Sequence, residues 1–176
     1  EITAVAWSRK RARTALQLGG ASNYITLSDR PDAHIGIEAD VVIEAVGTPQ
    51  AITTAFECAR KGGRIALIGS SRGLGRGVNW LNLVQKKNLT VIGAHIGALP
   101  FQDASHGRWS YHQEGQLFLD LLQKGRLSVK DLVTWSARPE ECNAVYETIA
   151  AGGGDNVAIR FDWQNRQHPD NNELRV

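Results

Sequence analysis

Two glycines, Gly47 and Gly69, each follow a short apolar run, and this spacing is the strongest indication of ligand chemistry in the sequence. The runs are Val41–Val46 and Ile65–Ile68, and an amphipathic segment of helix length separates them. Short apolar runs bounded by turn residues are typical of buried parallel strands. In open α/β sheets ligands bind at the carboxyl ends of such strands, and glycine lets backbone and ligand approach closely. We therefore expect function beside Gly47 and Gly69.

Strand-like and helix-like segments alternate along the rest of the chain, which predicts an α/β fold with a doubly wound parallel sheet. The predicted strands are Ile2–Ala6, Tyr24–Leu27, Val41–Val46, Arg64–Ile68, Leu89–His95 and Val157–Phe161. The predicted helices are Arg9–Leu18, Gln50–Arg60, Trp80–Gln85, Glu114–Lys124 and Pro139–Ala151. The Val-Ile-Gly-Ala run within Leu89–His95 indicates a strand that is buried on both faces.

The length, charge and cysteine content of the chain limit the classes of function that we expect. The 176 residues suffice for one domain with a core, and a net charge of +2 gives no support for nucleic acid or an anionic membrane as partner. Cys58 and Cys142 stand at no metal-ligand spacing and are expected as buried or half-buried thiols. No apolar run is long enough to span a bilayer, so we expect a cytoplasmic location. The chain starts at Glu1 and contains no Met, and we expect part of the protein to lie upstream.

Several ordered motifs resemble the coenzyme-binding half of the medium-chain, zinc-type alcohol and polyol dehydrogenases. They are Ala15–Ala21 (ALQLGGA), Ala39–Gly47 (ADVVIEAVG), Gly62–Gly69 (GGRIALIG), Leu89–Ala94 (LTVIGA) and the closing strand near Asn156–Phe161. The resemblance runs from Ile2 to about Trp163. It implies a Rossmann-like sheet that is incomplete at its N-terminal side, with residues 1–163 as the cofactor-binding domain and residues 164–176 as a polar tail.

The resemblance implies a set of residues along a bound nicotinamide dinucleotide. Val46 and Gly47 would pass beside the two riboses, and Ile68, Gly69 and Ser70 would lie along the nicotinamide. Ala94, His95 and Ile96 would offer main-chain groups to the carboxamide. Asn156 falls where the family often has a basic residue that reaches the pyrophosphate. For His95 a purely packing role is an equal alternative.

The turn after the first strand bears on the type of cofactor. Enzymes that prefer NAD place a carboxylate there for the ribose 2′-hydroxyl. Here that position is Ala6, and Ser8, Arg9 and Arg11 follow it. Ser and Arg would bind a 2′-phosphate that a carboxylate would repel, so we predict NADP over NAD. The alternative is that Arg9 and Arg11 are only solvated.

The family's activity is hydride transfer between an alcohol or carbonyl substrate and nicotinamide. The glycine fingerprint and the catalytic domain with its zinc ligands have no counterpart in this sequence, so we expect this chain alone to be inactive. The segment Val78–Gly93 would form the subunit contact of a homodimer. The alternative is a non-catalytic Rossmann-like partner or regulatory subunit. A short-chain reductase is disfavoured because Tyr24, Tyr111 and Tyr146 lack a Lys four residues on.

Other residues receive plainer interpretations. Gly73–Gly77 imitates a dinucleotide motif but is predicted to be a loop, since it follows a late strand. The scattered histidines His34, His106, His112 and His168 are expected at the surface. Trp80, Trp109 and Tyr111 line a cleft or subunit contact, or fill gaps under loops. Asp40 and Glu44 are expected as strand-edge residues and not as an acid/base pair.

Overall fold

A computed structural model describes residues 1–29, 35–70, 78–102, 109–152, 154 and 156–164. The loop predicted at Gly73–Gly77 and the residues His34, His106 and His168 lie outside this part of the chain. The chain divides into two compact units, one formed by Glu1–Pro31 with Gly125–Val176 and one formed by Asp32–Lys124. The strands are β1 Thr3–Ala6, β2 Asn23–Thr26, β3 Ala39–Glu44, β4 Ala59–Leu67, β5 Thr90–Gly93, β6 Val133–Ala137 and β7 Ala158–Phe161. The α-helices are α1 Ala12–Gln17, α2 Pro49–Cys58, α3 Tyr111–Gln123 and α4 Cys142–Ala150.

The unit of residues 1–31 and 125–176 contains two small parallel sheets. Strand β1 pairs with β2, and β6 pairs with β7 across a bulge between Val133 and Trp135. A single 3-10 turn at Arg9–Arg11 leads from β1 into α1, so the predicted helix Arg9–Leu18 is divided in two. Helix α4 likewise begins after a 3-10 turn, at Pro139–Glu141.

The unit of residues 32–124 contains a three-stranded parallel sheet in the order β3-β4-β5. Its core is formed by Ala55 and Phe56 of α2 together with Ala59 and Ile65 of β4. With Ile52, which packs against this core, the helix residues stand at i, i+3 and i+4, the spacing of one helical face, which is why α2 can lie on the sheet. The predicted α/β class with parallel strands is confirmed.

The ends of α2 follow from local chemistry. The Thr48 hydroxyl accepts a hydrogen bond from the Ala51 amide at 3.2 Å, and Pro49 occupies the first helical position, where its missing N–H costs nothing. At the other end Ala59 is already extended, so the helix passes into β4 without a loop.

The prediction that the Leu89–His95 strand is buried on both faces is wrong. All four residues of β5 are exposed, including Val91 at 37% and Ile92 at 46%. Helix α2 packs on β3 and β4, and β5 is an outer strand of the three-stranded sheet. An apolar run therefore indicated a strand correctly but could not indicate how far the covering helix extends.

Lys87 closes the carboxyl end of α2. Its Nζ donates to the carbonyl oxygens of Phe56 at 2.8 Å, Glu57 at 2.9 Å and Ala59 at 2.5 Å. The last carbonyls of a helix have no partner within the helix, and a cation there also complements the helix dipole. The main-chain oxygen of Lys87 accepts from the Gly62 amide at 2.7 Å, which joins the same residue to β4.

Replacement of this ammonium group is expected to destabilise the protein. Lys87→Met keeps the length of the side chain but leaves the three carbonyls without their donor, at a cost of about 2 kcal/mol. In a chain of this size that loss lowers the unfolding midpoint by about 5 °C. Thermal unfolding followed by circular dichroism measures it. The matched control is Lys86→Met at the exposed neighbouring position, and an equal loss in both variants would contradict the capping role.

Candidate functional site

Most of the predicted site residues lie at one edge of the three-stranded sheet. Because β3, β4 and β5 are parallel, their carboxyl ends meet at the same edge. The residues that follow these strands at that edge are Val46, Gly47, Ile68, Gly69, Ser70, Ala94, His95 and Ile96. The predicted ligand-binding edge therefore brings together segments that are far apart in sequence.

Gly47 and Gly69 lie against each other where the turns after β3 and β4 cross. A Cβ atom on Gly69 would lie 2.5 Å from the Gly47 nitrogen and 2.8 Å from the Val46 nitrogen, which is closer than real side chains come. A Cβ atom on Gly47 would overlap the carbonyl oxygen of Ser70, and Gly47 also has a φ of 83°. Both positions therefore require glycine.

Glu44 holds these two turns together. One carboxylate oxygen, Oε1, accepts from the amides of Val46 at 2.8 Å and Gly47 at 2.7 Å. The main-chain oxygen of Glu44 accepts from the amides of Ile68 at 2.9 Å and Gly69 at 3.0 Å. The side chain is buried, which the interpretation of Glu44 as a plain strand-edge residue did not foresee. The available signal was a carboxylate at the end of an apolar run, followed three residues later by glycine.

Asp40 lies at the start of the same strand and has a different environment. The Arg60 Nε donates to the Asp40 carboxylate at 2.6 Å, and both side chains are largely exposed. This hydrogen bond, with the positive charge of Arg60, holds the pKa of Asp40 below its ordinary value. Asp40 and Glu44 therefore make separate structural contacts: Asp40 pairs with Arg60, and the Glu44 carboxylate binds the amides of the turn after β3.

The segment after β5 continues the site. The Ala94 amide donates to the Leu67 carbonyl at 3.0 Å, which extends the β4–β5 pairing beyond the strand. His95 is exposed, and its Nδ1 accepts from the Gly97 amide at 3.1 Å. The imidazole therefore caps the 3-10 turn Ile96–Ala98.

The basic residues predicted to bind phosphate lie in the other unit, after β1. Arg9 donates from Nε and Nη2 to the Asp29 carboxylate at 2.9 and 2.7 Å. The main-chain oxygen of Ser8 accepts from the Tyr24 hydroxyl at 2.6 Å. Asp29 went unnoticed because it is distant in sequence, yet it follows β2, the parallel neighbour of β1, and so ends beside the same turn.

Arg11 and Asn156 come together in the same unit. The Arg11 guanidinium donates to the main-chain oxygen of Asn156, and both residues line an open cavity of about 510 Å³. The remaining lining residues are Val145, Tyr146, Ile149, Gly152, Val157, Ile159 and Phe161. The cavity is mostly apolar, with Arg11 and Asn156 among its polar groups.

The remaining candidates are the two cysteines and the aromatic residues. Cys58 is buried and Cys142 is half-buried, as expected, and burial raises the pKa of the Cys58 thiol. The ring of Trp80 contacts that of Phe56, and the ring of Tyr111 contacts that of Phe101.

Within the described ranges no group of three His, Cys, Asp or Glu side chains could hold a metal ion. No described helix is long and apolar enough to cross a bilayer.

A methyl group at Gly69 is expected to disrupt the crossing of the two turns. Gly69→Ala places Cβ against main-chain nitrogens that cannot move aside, so we expect a loss of about 3 kcal/mol in the free energy of unfolding. The matched control is Gly93→Ala, where a Cβ atom meets nothing within 4 Å. Urea unfolding of both variants measures the difference, and equal stability would contradict the steric argument.

Comparison with known proteins places the chain among dehydrogenases. Residues 1–108 match a family described as zinc-binding dehydrogenase. A relative named probable D-xylulose reductase A from Aspergillus clavatus is 27% identical over 161 residues, which cover 89% of this chain and 40% of the relative. A protein of the same name from Arthroderma otae is 28% identical over 156 residues, which cover 87% of this chain and 39% of that protein. The chain thus spans about 40% of the curated relatives it matches.

Solved structures show the same fold. Galactitol-1-phosphate dehydrogenase from Escherichia coli superposes with a TM-score of 0.65 at 22% identity, covering 86% of this chain and 43% of that one. Benzyl alcohol dehydrogenase from Acinetobacter calcoaceticus gives 0.69 at 20% identity, covering 92% and 42%. From its family match, its parallel α/β sheets and its glycine-lined strand ends, the chain belongs to the zinc-binding dehydrogenase family.

Proposed function

We propose that this chain is the coenzyme-binding portion of an NAD(P)-dependent, zinc-type alcohol or polyol dehydrogenase. The observation that carries the proposal is the crossing of Gly47 and Gly69 at the carboxyl edge of a parallel sheet. Glycine there lets the turns after β3 and β4 approach each other closely, and this edge is where α/β sheets bind nucleotides. In this proposal residues 1–163 form the coenzyme-binding domain and residues 164–176 a polar tail.

The residues at the strand ends suit a nicotinamide dinucleotide. Val46 is 68% exposed and Ile68 is 48% exposed, so each offers an apolar surface to a ring or ribose. Main-chain groups of Ala94, His95 and Ile96 would hold the carboxamide. Gly47 would pass beside the riboses, and Gly69 and Ser70 would lie along the nicotinamide. When bound, the nicotinamide would accept or donate the hydride; this chain's part is to orient the ring.

Catalysis requires groups beyond the described residues. A catalytic zinc in proteins takes three side-chain ligands of the Cys, His and carboxylate types. The described part of the chain brings no such group together. We therefore propose that the chain by itself is inactive, and that zinc, the proton relay and most of the cleft for a small alcohol or carbonyl substrate are supplied elsewhere.

The experiment that tests this proposal combines native mass with cofactor binding. We expect the protein purified from its source to have a mass near 35–40 kDa, a rough figure for two domains of ordinary size. It should bind NADPH and, with NADP⁺ as hydride acceptor, oxidise alcohols in a zinc-dependent manner. A native mass equal to that of this chain, without activity, would favour a non-catalytic partner or regulatory subunit instead.

For the cofactor we propose NADP in preference to NAD. Ser8, Arg9 and Arg11 follow β1, and Ala6 provides no carboxylate to repel a 2′-phosphate. The carboxylate of Asp29 already pairs with Arg9, so a phosphate must compete with it for this guanidinium. The preference for NADP over NAD should therefore be modest.

Removal of the Asp29 charge is expected to increase the preference for NADP over NAD. Asp29→Asn frees the Arg9 guanidinium and removes a negative charge from the turn, so NADPH should bind about fivefold more tightly while NADH changes little. Fluorescence titration with both cofactors measures the ratio. The control is Asp131→Asn at another exposed position of the same unit. An equal increase in the affinity for NADH would contradict a role for Asp29 in 2′-phosphate recognition.

We further propose a cytoplasmic homodimer with Val78–Gly93 at the subunit contact. Trp80 and Leu81 are exposed within this segment, and β5 is an outer strand of its sheet. Exposed apolar residues beside an outer strand favour association between chains. Sedimentation equilibrium of the native protein tests the oligomeric state.

A further inference from the structure

The second carboxylate oxygen of Glu44 has an unusual environment. Glu44 is only 4% exposed, and its Oε2 is buried without a hydrogen-bond partner among the described residues. A buried acceptor without a donor costs free energy, and such groups in native proteins call for an explanation. A Cβ atom on Gly69 would lie 2.8 Å from this oxygen, so Oε2 fills the space beside Gly69.

The contacts of Glu44 connect both turns of the candidate site. Its Oε1 fixes the amides of Val46 and Gly47, and its main-chain oxygen fixes those of Ile68 and Gly69. A carboxylate is suited to this position because it has only acceptors to offer, and charge-assisted bonds to amides are the stronger kind. An amide would keep one acceptor for the Val46 and Gly47 amides, but it would lose the negative charge and put an NH2 group where Oε2 has no partner among the described residues.

We propose that Glu44 is a positioning residue that holds the turns after β3 and β4 in the shape that binds the dinucleotide. The residue does not touch the ligand in this account; it orders the main chain at Val46, Gly47 and Gly69 before the ligand arrives. Order that exists before binding lowers the entropic cost of association. The inference rests on the proposed cofactor function but concerns a residue that this function did not require.

The test compares Glu44→Gln and Glu44→Ala with Ile65→Val in the intact protein. Ile65 is fully buried in β4, so Ile65→Val destabilises the same sheet without touching the turns. Two quantities are measured: the Kd for NADPH by fluorescence titration, and the hydrogen exchange of the Val46 and Gly47 amides by NMR. Glu44→Gln keeps the shape of the side chain and covers the case in which Glu44→Ala fails to fold.

We expect the Kd to rise about tenfold in Glu44→Gln and further in Glu44→Ala, with the two amides exchanging at least tenfold faster. In Ile65→Val the Kd should change less than twofold despite the loss of stability. Equal weakening in Ile65→Val would overturn the inference, because a merely structural role would then suffice.

The exchange measurement separates this inference from the proposed function. If the unsubstituted protein binds neither NADPH nor NADH, the proposed cofactor function fails. Faster exchange confined to the Val46 and Gly47 amides in the Glu44 variants would still support the positioning role. Unchanged exchange at these amides would overturn it.

Discussion

The close approach of two main-chain turns at Gly47 and Gly69 is the constraint on which the candidate site depends. Neither turn can take a side chain at the crossing, because Cβ atoms would overlap neighbouring main-chain atoms. The approach requires β3 and β4 to run parallel with Glu44 opposite Leu67, a pairing that is regular from Val41 onward, so that both strands end together. Glu44 then closes the turns with its carboxylate and its main-chain oxygen. The exposed strand ends follow from that arrangement.

The register of these strands depends in turn on the packing beneath them. Phe56 of α2 and Ile65 of β4 are fully buried in the same core, and together they hold α2 on the sheet. Lys87 ties the end of this helix, and the first part of β4, to the segment before β5. A side chain far from the strand ends therefore contributes to their position, since the helix, β3 and β4 share one core.

Several elements could be predicted because their signals are local. The apolar runs before Gly47 and Gly69 indicated β3 and β4, and helical spacing through Ile52, Ala55 and Phe56 indicated the buried face of α2. Burial of β5 was predicted wrongly, because an apolar run does not reveal which helix covers it. Asp29 was missed for a similar reason: its contact with Arg9 joins residues whose proximity arises from strand pairing.

By itself, the sequence determined the α/β class, the order of its elements, the family and the two glycines that mark the site. These properties follow from periodicity and from residues that allow close backbone approach, which act over a few positions. Only the tertiary structure decided that Glu44 is buried between two turns and that Arg9 pairs with Asp29. Burial and charge pairing depend on what other strands and turns bring near, and that proximity exists only after the chain has folded.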